Sequence, residues 1–234
     1  WKNRHMRRRI RSNNKGINIM IHAGIIGQGY VGTAVKTVFE KHYETHTFDL
    51  DKEKSSCSSI SELVNNTDVI FVCVPTPMNK DGSCNINIVE DVVEKINFVG
   101  KGDTIVVIKS TVPPGTTEEL NKKYSYASIV FNPEFLTEAN FIEDFKNQSR
   151  IILGGPRPAT TKVKQIYAKV LPKTKVIKTG STHAEMVKYM TNTFLATKVS
   201  FANEMKQICD KLNIDYDKVV EYATYDERLG KSHW

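Results

Sequence analysis

The sequence predicts an α/β fold, a doubly wound parallel sheet followed by a segment built on one long helix. Three observations carry that expectation. Short apolar runs alternate with stretches of helical spacing from Ile17 to about residue 180, which is the pattern of strand–helix units that build a parallel sheet. A G-x-G-x-x-G sequence, Gly27 to Gly32, sits where the first apolar run gives way to the first helix. Ser181–Leu212 contains neither Pro nor Gly, and its apolar residues recur at three and four, so it reads as a helix of roughly thirty residues and about 45 Å.

Ile17–Ile26 is an apolar strand, Tyr30–Lys41 a helix, and His46–Leu50 a short second strand. Asp68–Val74, DVIFVCV, is a continuous apolar run of the kind buried on both faces of a parallel sheet. Pro75 and Pro77 end it. Ile86–Phe98 places Ile86, Val89, Val93 and Ile96 on one helical face. Thr104–Lys109 is another buried strand, broken by Pro113-Pro114-Gly115, and a short helix follows. Ser128–Phe131 and Arg150–Leu153 are strands, the latter stopped by Gly154-Gly155-Pro156. A second helix spans Asp215–Ala223 after the long one. The division expected is a basic tail over 1–16, a dinucleotide-binding domain over 17–180 and a central helical segment over 181–234.

The 40% apolar and 25% charged content is that of a globular protein. No apolar run approaches the roughly 18 residues of a membrane span. Lys2, Arg4, Arg7, Arg8, Arg9, Arg11 and Lys15 account for the whole formal charge of +7, and the rest of the chain balances. A nucleic-acid-binding domain carries its basic excess on the folded surface, so nucleic acid is not an expected partner of the domain. The tail reads as a disordered arm or an upstream read-through. It lacks the apolar core of a secretory signal. Cys57, Cys73, Cys84 and Cys209 share no metal-ligand or redox spacing, which fits a reducing compartment such as the cytoplasm.

The glycine loop carries the first functional expectation. Gly27 permits a tight turn, Gly29 a close backbone approach to a pyrophosphate, and Gly32 close helix–strand packing, as in a Rossmann-type dinucleotide site. Tyr30 and Val31 open the helix, whose N-terminus favours phosphate. Asp49 ends the next strand, 17 residues past Gly32. A carboxylate there accepts hydrogen bonds from ribose hydroxyls and repels a 2′-phosphate, which favours NAD over NADP. No metal is expected.

Ligands of open α/β sheets bind at the carboxyl ends of the strands. Val74-Pro75-Thr76-Pro77, Lys109–Gly115 and Phe131–Glu138 fall at that edge. Lys188 and Asn192 are four apart on the long helix, so they share a face, and together they can hold and polarise a hydroxyl oxygen. Glu134 and Glu138 are also four apart.

The segments GQGYVG (27–32), VPTP (74–77), KSTVPPGTT (109–117), NPEFLTEANFIEDF (132–145), EMVKYMTNTFLATKVSFANE (185–204) and DERLG (226–230) occur in one order. In them the chain resembles the UDP-glucose/GDP-mannose dehydrogenase family. The resemblance implies oxidation of a sugar C6 alcohol to a carboxylate with two NAD, through a covalent thiohemiacetal and thioester on a cysteine. It implies that Asp49 and Lys54 contact the adenosine ribose, and that Val74, Pro75, Thr76, Thr111 and Glu138 complete the cofactor site. It makes Lys188 and Asn192 the pair that stabilises the developing alkoxide. Thr111, Glu134 and Glu138 complete the catalytic set, with Thr111 and Glu134 positioning water and moving protons. Phe135 and Leu136 become sugar contacts, and Arg228 reaches a neighbouring subunit's nucleotide-sugar substrate in a homodimer formed by the long helix.

The sequence departs from the family in two respects. The family's nucleophilic cysteine lies shortly after the segment resembling DERLG, whereas the residues here run to Trp234 and none of the four cysteines occupies a matching position. The expectation is therefore a chain truncated before that cysteine and before the carboxy-terminal nucleotide-sugar domain, with Cys84 the one alternative thiol near the cofactor edge. Thr137 replaces an Arg common in its loop. Two other readings stay open. One is a two-electron β-hydroxyacid-type dehydrogenase, which shares the fold and a K-x-x-x-N helix. The other is a non-catalytic NAD-binding or dimerising remnant.

Overall fold

A computed structural model describes residues 21–234 except Lys101. The tail over 1–16 and the expected strand start at Ile17 lie outside the described residues. Among the described residues, seven strands form one sheet in the order β2-β1-β3-β4-β5-β6-β7. The strands are β1 (His22–Ile26), β2 (Glu44–Phe48), β3 (Val69–Val72), β4 (Thr104–Ile108), β5 (Ala127–Phe131), β6 (Arg150–Gly154) and β7 (Lys175–Thr179). The helices are α1 (Tyr30–Phe39), α2 (Ile60–Asn66), α3 (Asn87–Val99), α4 (Thr116–Lys123), α5 (Phe141–Lys146), α6 (Arg157–Val170), α7 (Ser181–Lys211) and α8 (Tyr216–Ala223). None of them is long and apolar enough to cross a membrane.

Strands β1 to β5 are mutually parallel. Their apolar runs alternate between two core layers, as period-two side chains must. Ala23, Ile25, Phe71, Val107 and Val130 pack with Val35, Phe39, Val163 and Tyr167 of α1 and α6. Ile26, Ile70, Val106, Ile108 and Ile129 pack with Leu63, Val93, Ile96 and Leu120 of α2, α3 and α4. Phe39 is the hub of the first layer. Its ring meets Phe71 at 4.9 Å, Tyr167 at 5.5 Å and Phe145 at 6.4 Å between centroids, each edge to face.

The expected doubly wound parallel sheet is present, with one reversal at its far side. β6 runs antiparallel to β5 and meets it only at Phe131 and Gly154, while β7 is parallel to β6. The 132–149 connection does not cross back along the sheet, so β6 begins on the same side as β5 ends. Because β6 touches β5 only through its last residue, the rest of β6 extends past the carboxyl end of β5. β7 follows it there, and α7 therefore starts at the ligand edge. Gly154 lets α7 approach, since a Cβ at that position would meet the Ala184 Cβ at 2.6 Å.

Strand β2 begins two residues before the expected His46 and ends at Phe48 rather than Leu50. Elements α2, α5, α6 and β7 were not expected from periodicity. α7 and α8 match the expected helices to within a residue or so.

Truncating the hub should be costly. Phe39→Ala is expected to lower the unfolding free energy by about 3–5 kcal/mol, as for a large aromatic removed from a close-packed core, measured by denaturant titration.

Candidate functional site: a dinucleotide cleft with a buried lysine–glutamate pair

The glycine loop joins β1 to α1 and is held from two sides. Gly27 N–H donates to the Phe48 carbonyl at 2.9 Å, and Gln28 N–H donates to the Asp49 carboxylate at 2.6 Å. Gly27 has φ +90, and a Cβ on it would come 2.6 Å from the Cys73 carbonyl oxygen. Gly32 is tighter still, since its Cβ would lie 1.8 Å from the Gly27 carbonyl oxygen. Gly29 is the opposite case. A Cβ there meets no protein atom within 4 Å, so that face of the loop is open to the cleft. No side chain caps the N-terminus of α1 and no acid lies in its first turn. Its free N–H groups and partial positive charge are left for a phosphate.

The cleft in front of this loop has a volume of about 570 Å³. It lies at the carboxyl ends of β1 and β3, where the strand order reverses. Gly27, Gly29, Tyr30, Val31, Asp49, Val74, Pro75, Thr76, Thr111, Glu134, Leu136, Glu138 and Lys188 all line it. Asp49 Oδ1 accepts Asp51 N–H at 2.9 Å while Oδ2 holds the loop. Each oxygen keeps a lone pair for a further donor.

Other expected residues stand elsewhere. Gly32 lies beneath the loop. Lys54 stands 3.6 Å from Asp51 and is not among the cleft-lining residues. Asn192 lines an adjoining cavity of about 840 Å³ with Cys84 and Tyr189; Thr76 and Thr111 belong to both cavities. Phe135 forms part of the wall behind the cleft, its ring 4.6 Å from the Arg150 guanidinium and 5.2 Å from Lys188 Nζ. Arg228 is exposed and held by its neighbour Asp226 at 2.5 Å, away from both cavities.

The floor of the cleft is charged. Lys109 directly follows β4, with its Nζ 2.9 Å from Glu134 Oε2, and both side chains are almost wholly buried. Burial alone would pull the lysine down. The Glu134 carboxylate outweighs that, aided by Tyr167, and holds the ammonium charged above its ordinary range. Lys109 also donates to Asn132 Oδ1 at 3.1 Å, and the Tyr167 hydroxyl donates to the same oxygen at 2.6 Å. The Asn132 amide donates to the Ile152 carbonyl at 2.9 Å. Burial pushes the Tyr167 hydroxyl up to about 12 and the Cys73 thiol up to about 12, so neither ionises near neutrality.

Lys188 comes over this floor from α7, its Nζ donating to the Glu134 carbonyl. Desolvation lowers its pKa, partly opposed by Glu134 and reinforced by Lys109. The lysine is placed by Glu185, a fully buried carboxylate one turn earlier. Glu185 accepts Gly115 N–H at 2.6 Å and Thr117 N–H at 2.8 Å, capping α4 from a different helix and favoured by its dipole.

The sequence places Lys109 and Asn132 in ligand-edge segments and Glu185 at the start of the long-helix motif, but assigns no role to them or to Tyr167. What gives them one is burial, which no local pattern records. The one available signal for Lys109 was a charge directly abutting a wholly apolar strand.

Two models of known families match the chain. The UDP-glucose/GDP-mannose dehydrogenase family's NAD-binding domain matches residues 55–171, and its central domain matches residues 182–234. The chain belongs to this family. Its cofactor is accordingly NAD, and the open Gly29 face, free α1 N-terminus and Asp49 fit that group. The UDP-glucose 6-dehydrogenase of Rickettsia prowazekii is 32% identical over 197 residues, 81% of this chain and 45% of that protein. TuaD, the UDP-glucose 6-dehydrogenase of Bacillus subtilis, is 34% identical over 191 residues, 78% of this chain and 41% of that one. A UDP-glucose dehydrogenase structure from Pyrobaculum islandicum superposes with a TM-score of 0.84 at 28% identity, covering 92% of this chain and 59% of that chain. GDP-mannose dehydrogenase from Pseudomonas aeruginosa, solved as a ternary complex, gives 0.80 at 26% identity, covering 91% and 58%. The chain thus spans about half the length of the curated relatives it matches.

Two outcomes follow for the charged floor. Lys109→Met or Glu134→Leu alone should cost about 3–5 kcal/mol of stability, because each strands a buried charge, and the double variant should cost much less than the sum. A double-mutant cycle by denaturant unfolding reads the coupling. Because Lys109 titrates above its unfolded value, its contribution is complete at neutral pH and declines only above the ordinary lysine range. Lys188 shifts the other way. In reductively methylated protein its methyl resonance should titrate at lower pH than those of the exposed lysines, assigned by its absence in Lys188→Arg.

Proposed function

We propose that the protein oxidises the C6 hydroxyl of a UDP-glucose-like nucleotide sugar, in a domain over 17–180 that binds NAD and a central segment over 181–234 that helps bind the sugar. The observation that carries this reading is the convergence of Lys188 and Glu134 on the cleft that the glycine loop and Asp49 also line. Bound NAD supplies the hydride acceptor. The Lys188 ammonium, half-buried, stabilises negative charge as it develops on the sugar oxygen, where a preorganised cation is worth most. Asn192, one turn further along α7, can donate to the same oxygen from the adjoining cavity. Glu134 keeps its carboxylate against Lys109 and, with Thr111, orders a water that carries the released proton away. Glu138 and Thr76 line the cofactor side, and Leu136 with Phe135 bounds the sugar side. Lys54 takes a position beside the adenosine ribose.

The second oxidation requires a thiol adduct. Cys73 is pushed too high to supply a thiolate, and Cys57 and Cys209 are buried. Cys84 lies at the adjoining cavity, its Sγ 3.7 Å from the Thr111 carbonyl oxygen. A cysteine outside these four is the reading that the family resemblance supports.

We also propose a homodimer through α7. The helix exposes Met186, Met190, Phe194, Phe201 and Ile208, a series a second copy would cover, and Arg228 would then face the partner's substrate.

The function is tested by following NADH formation by the purified protein with UDP-glucose, GDP-mannose and small β-hydroxyacids. Turnover of a nucleotide sugar, lost in Lys188→Ala, supports the reading. Turnover of hydroxyacids alone would sink it in favour of a two-electron enzyme. Asp49→Ala should weaken NAD binding by about 1.5–3 kcal/mol, the worth of a hydrogen bond to a charged group, read by calorimetry. Equal affinity of the unaltered protein for NADP would remove the role assigned to Asp49.

A further inference from the structure

The amino-terminal edge of the sheet, opposite the cleft, carries a second group of polar side chains. His22 opens β1, and Glu44 opens β2. In the parallel register His22 pairs with Glu44 and Gly24 with His46. Residues two apart on a strand share a face, and so do cross-strand partners. The pairing therefore drives all three side chains to the same side of the sheet. His22 Nδ1 lies 3.4 Å from Glu44 Oε2, and His46 Nε2 lies 3.4 Å from Glu44 Oε1. The two imidazoles are stacked, 6.1 Å between centroids and 12° between planes. One donor atom from each residue falls within 4.8 Å of the others. The group stands at the wall of a cavity of about 1000 Å³ lined also by Asn65, Thr67 and Asp68.

His46 Nε2 is buried and has no hydrogen-bond partner among the described residues. A buried ring nitrogen without a partner is uncommon, and this one stands 3.4 Å from the Glu44 carboxylate without making a hydrogen bond to it. Ligands held about 2.0–2.1 Å from a tetrahedral ion stand roughly 3.4 Å apart; each histidine nitrogen stands 3.4 Å from a different oxygen of Glu44, and the donor atoms, within 4.8 Å of one another, need only small side-chain rotations to close around one ion. Two imidazoles and one carboxylate suit a borderline cation rather than calcium or magnesium, which prefer oxygen throughout.

We propose that His22, Glu44 and His46 bind one divalent transition-metal cation of the zinc type, with water from the cavity completing the coordination. The ion joins β1 to β2. Among the described residues β2 is the edge strand of the sheet, paired on one side only, and its other end is already tied to the glycine loop through Asp49. Metal at the amino end would pin the strand at both ends. The site lies about 13 Å of strand from the cleft, so it is structural and takes no part in hydride transfer.

The test uses purified protein stripped with a chelator and titrated with zinc by calorimetry, together with His22→Ala, Glu44→Gln and His46→Ala. The expected result is one equivalent bound by the unaltered protein, with affinity falling at least about tenfold in each variant, as when a ligand is lost. Zinc should also raise the thermal midpoint of the unaltered protein and not that of His46→Ala. Variants that bind as tightly as the unaltered protein, or an unaltered protein that binds no stoichiometric zinc, would overturn the proposal. Cobalt in the unaltered protein guards against variants that misfold. It should show tetrahedral d–d absorption without a thiolate charge-transfer band, and either a thiolate band or a purely octahedral spectrum would also overturn it.

Discussion

An ammonium group buried at the carboxyl end of the sheet's middle strand has to be neutralised, and much of the ligand edge is arranged to do so. Lys109 is almost wholly out of solvent, where an unpaired charge is prohibitive. Its partners come from separate parts of the chain. Glu134 and Asn132 follow β5, Tyr167 comes from α6, and Asn132 in turn binds the backbone of β6. The same contacts fix the start of the 132–138 segment, because the Asn132 and Glu134 side chains are held from below. That segment offers its carbonyl to Lys188 from above. Two lysines thus approach one glutamate from opposite sides, one through the carboxylate and one through the backbone. Their pKa values move apart: the paired one upward, the desolvated one downward. Environment alone separates a structural cation from one poised over the cleft.

The central part of the fold was legible because its signals are strong and local. DVIFVCV and TIVVI are apolar enough that only a two-sided burial accommodates them, and a Gly/Pro-free stretch as long as α7 has few alternatives to a helix. β7, KVIKT, was missed for the converse reason. As a far-edge strand with mostly exposed or half-buried positions, it has no apolar run to betray it. α2 and α5 are too short for periodicity to rise above noise. The reversal of β6 lies in a tertiary choice, namely which side of the sheet the 132–149 connection occupies, and no residue in it records that choice in isolation.

The site divides the same way. The glycine loop and Asp49 were readable because the chemistry requires backbone conformation and charge at set spacing, and the structure gives Gly27 and Gly32 contacts that no side chain could survive. Lys109 and Glu185 were not readable, because what makes them important is burial, and burial is a property of everything around them. The lysine–asparagine pair on α7 shares a helix face as its spacing demanded, yet one turn is enough to move Asn192 from the dinucleotide cleft into the adjoining cavity.

The carboxylate cap supplied by Glu185 has a mechanical consequence. It ties α7 to the first turn of α4, and the close Gly154–Ala184 packing lies beside it, so the helix is pivoted near its start. Lys188 sits about 4.5 Å along the axis from that pivot, and Lys211 about 39 Å. The helix is then a lever with the cleft-facing lysine on its short arm. A sideways swing of about 4 Å at the far end moves Lys188 by only about 0.5 Å. Whatever engages the distal turns can shift, bend or load them while the charge over the cleft stays nearly still.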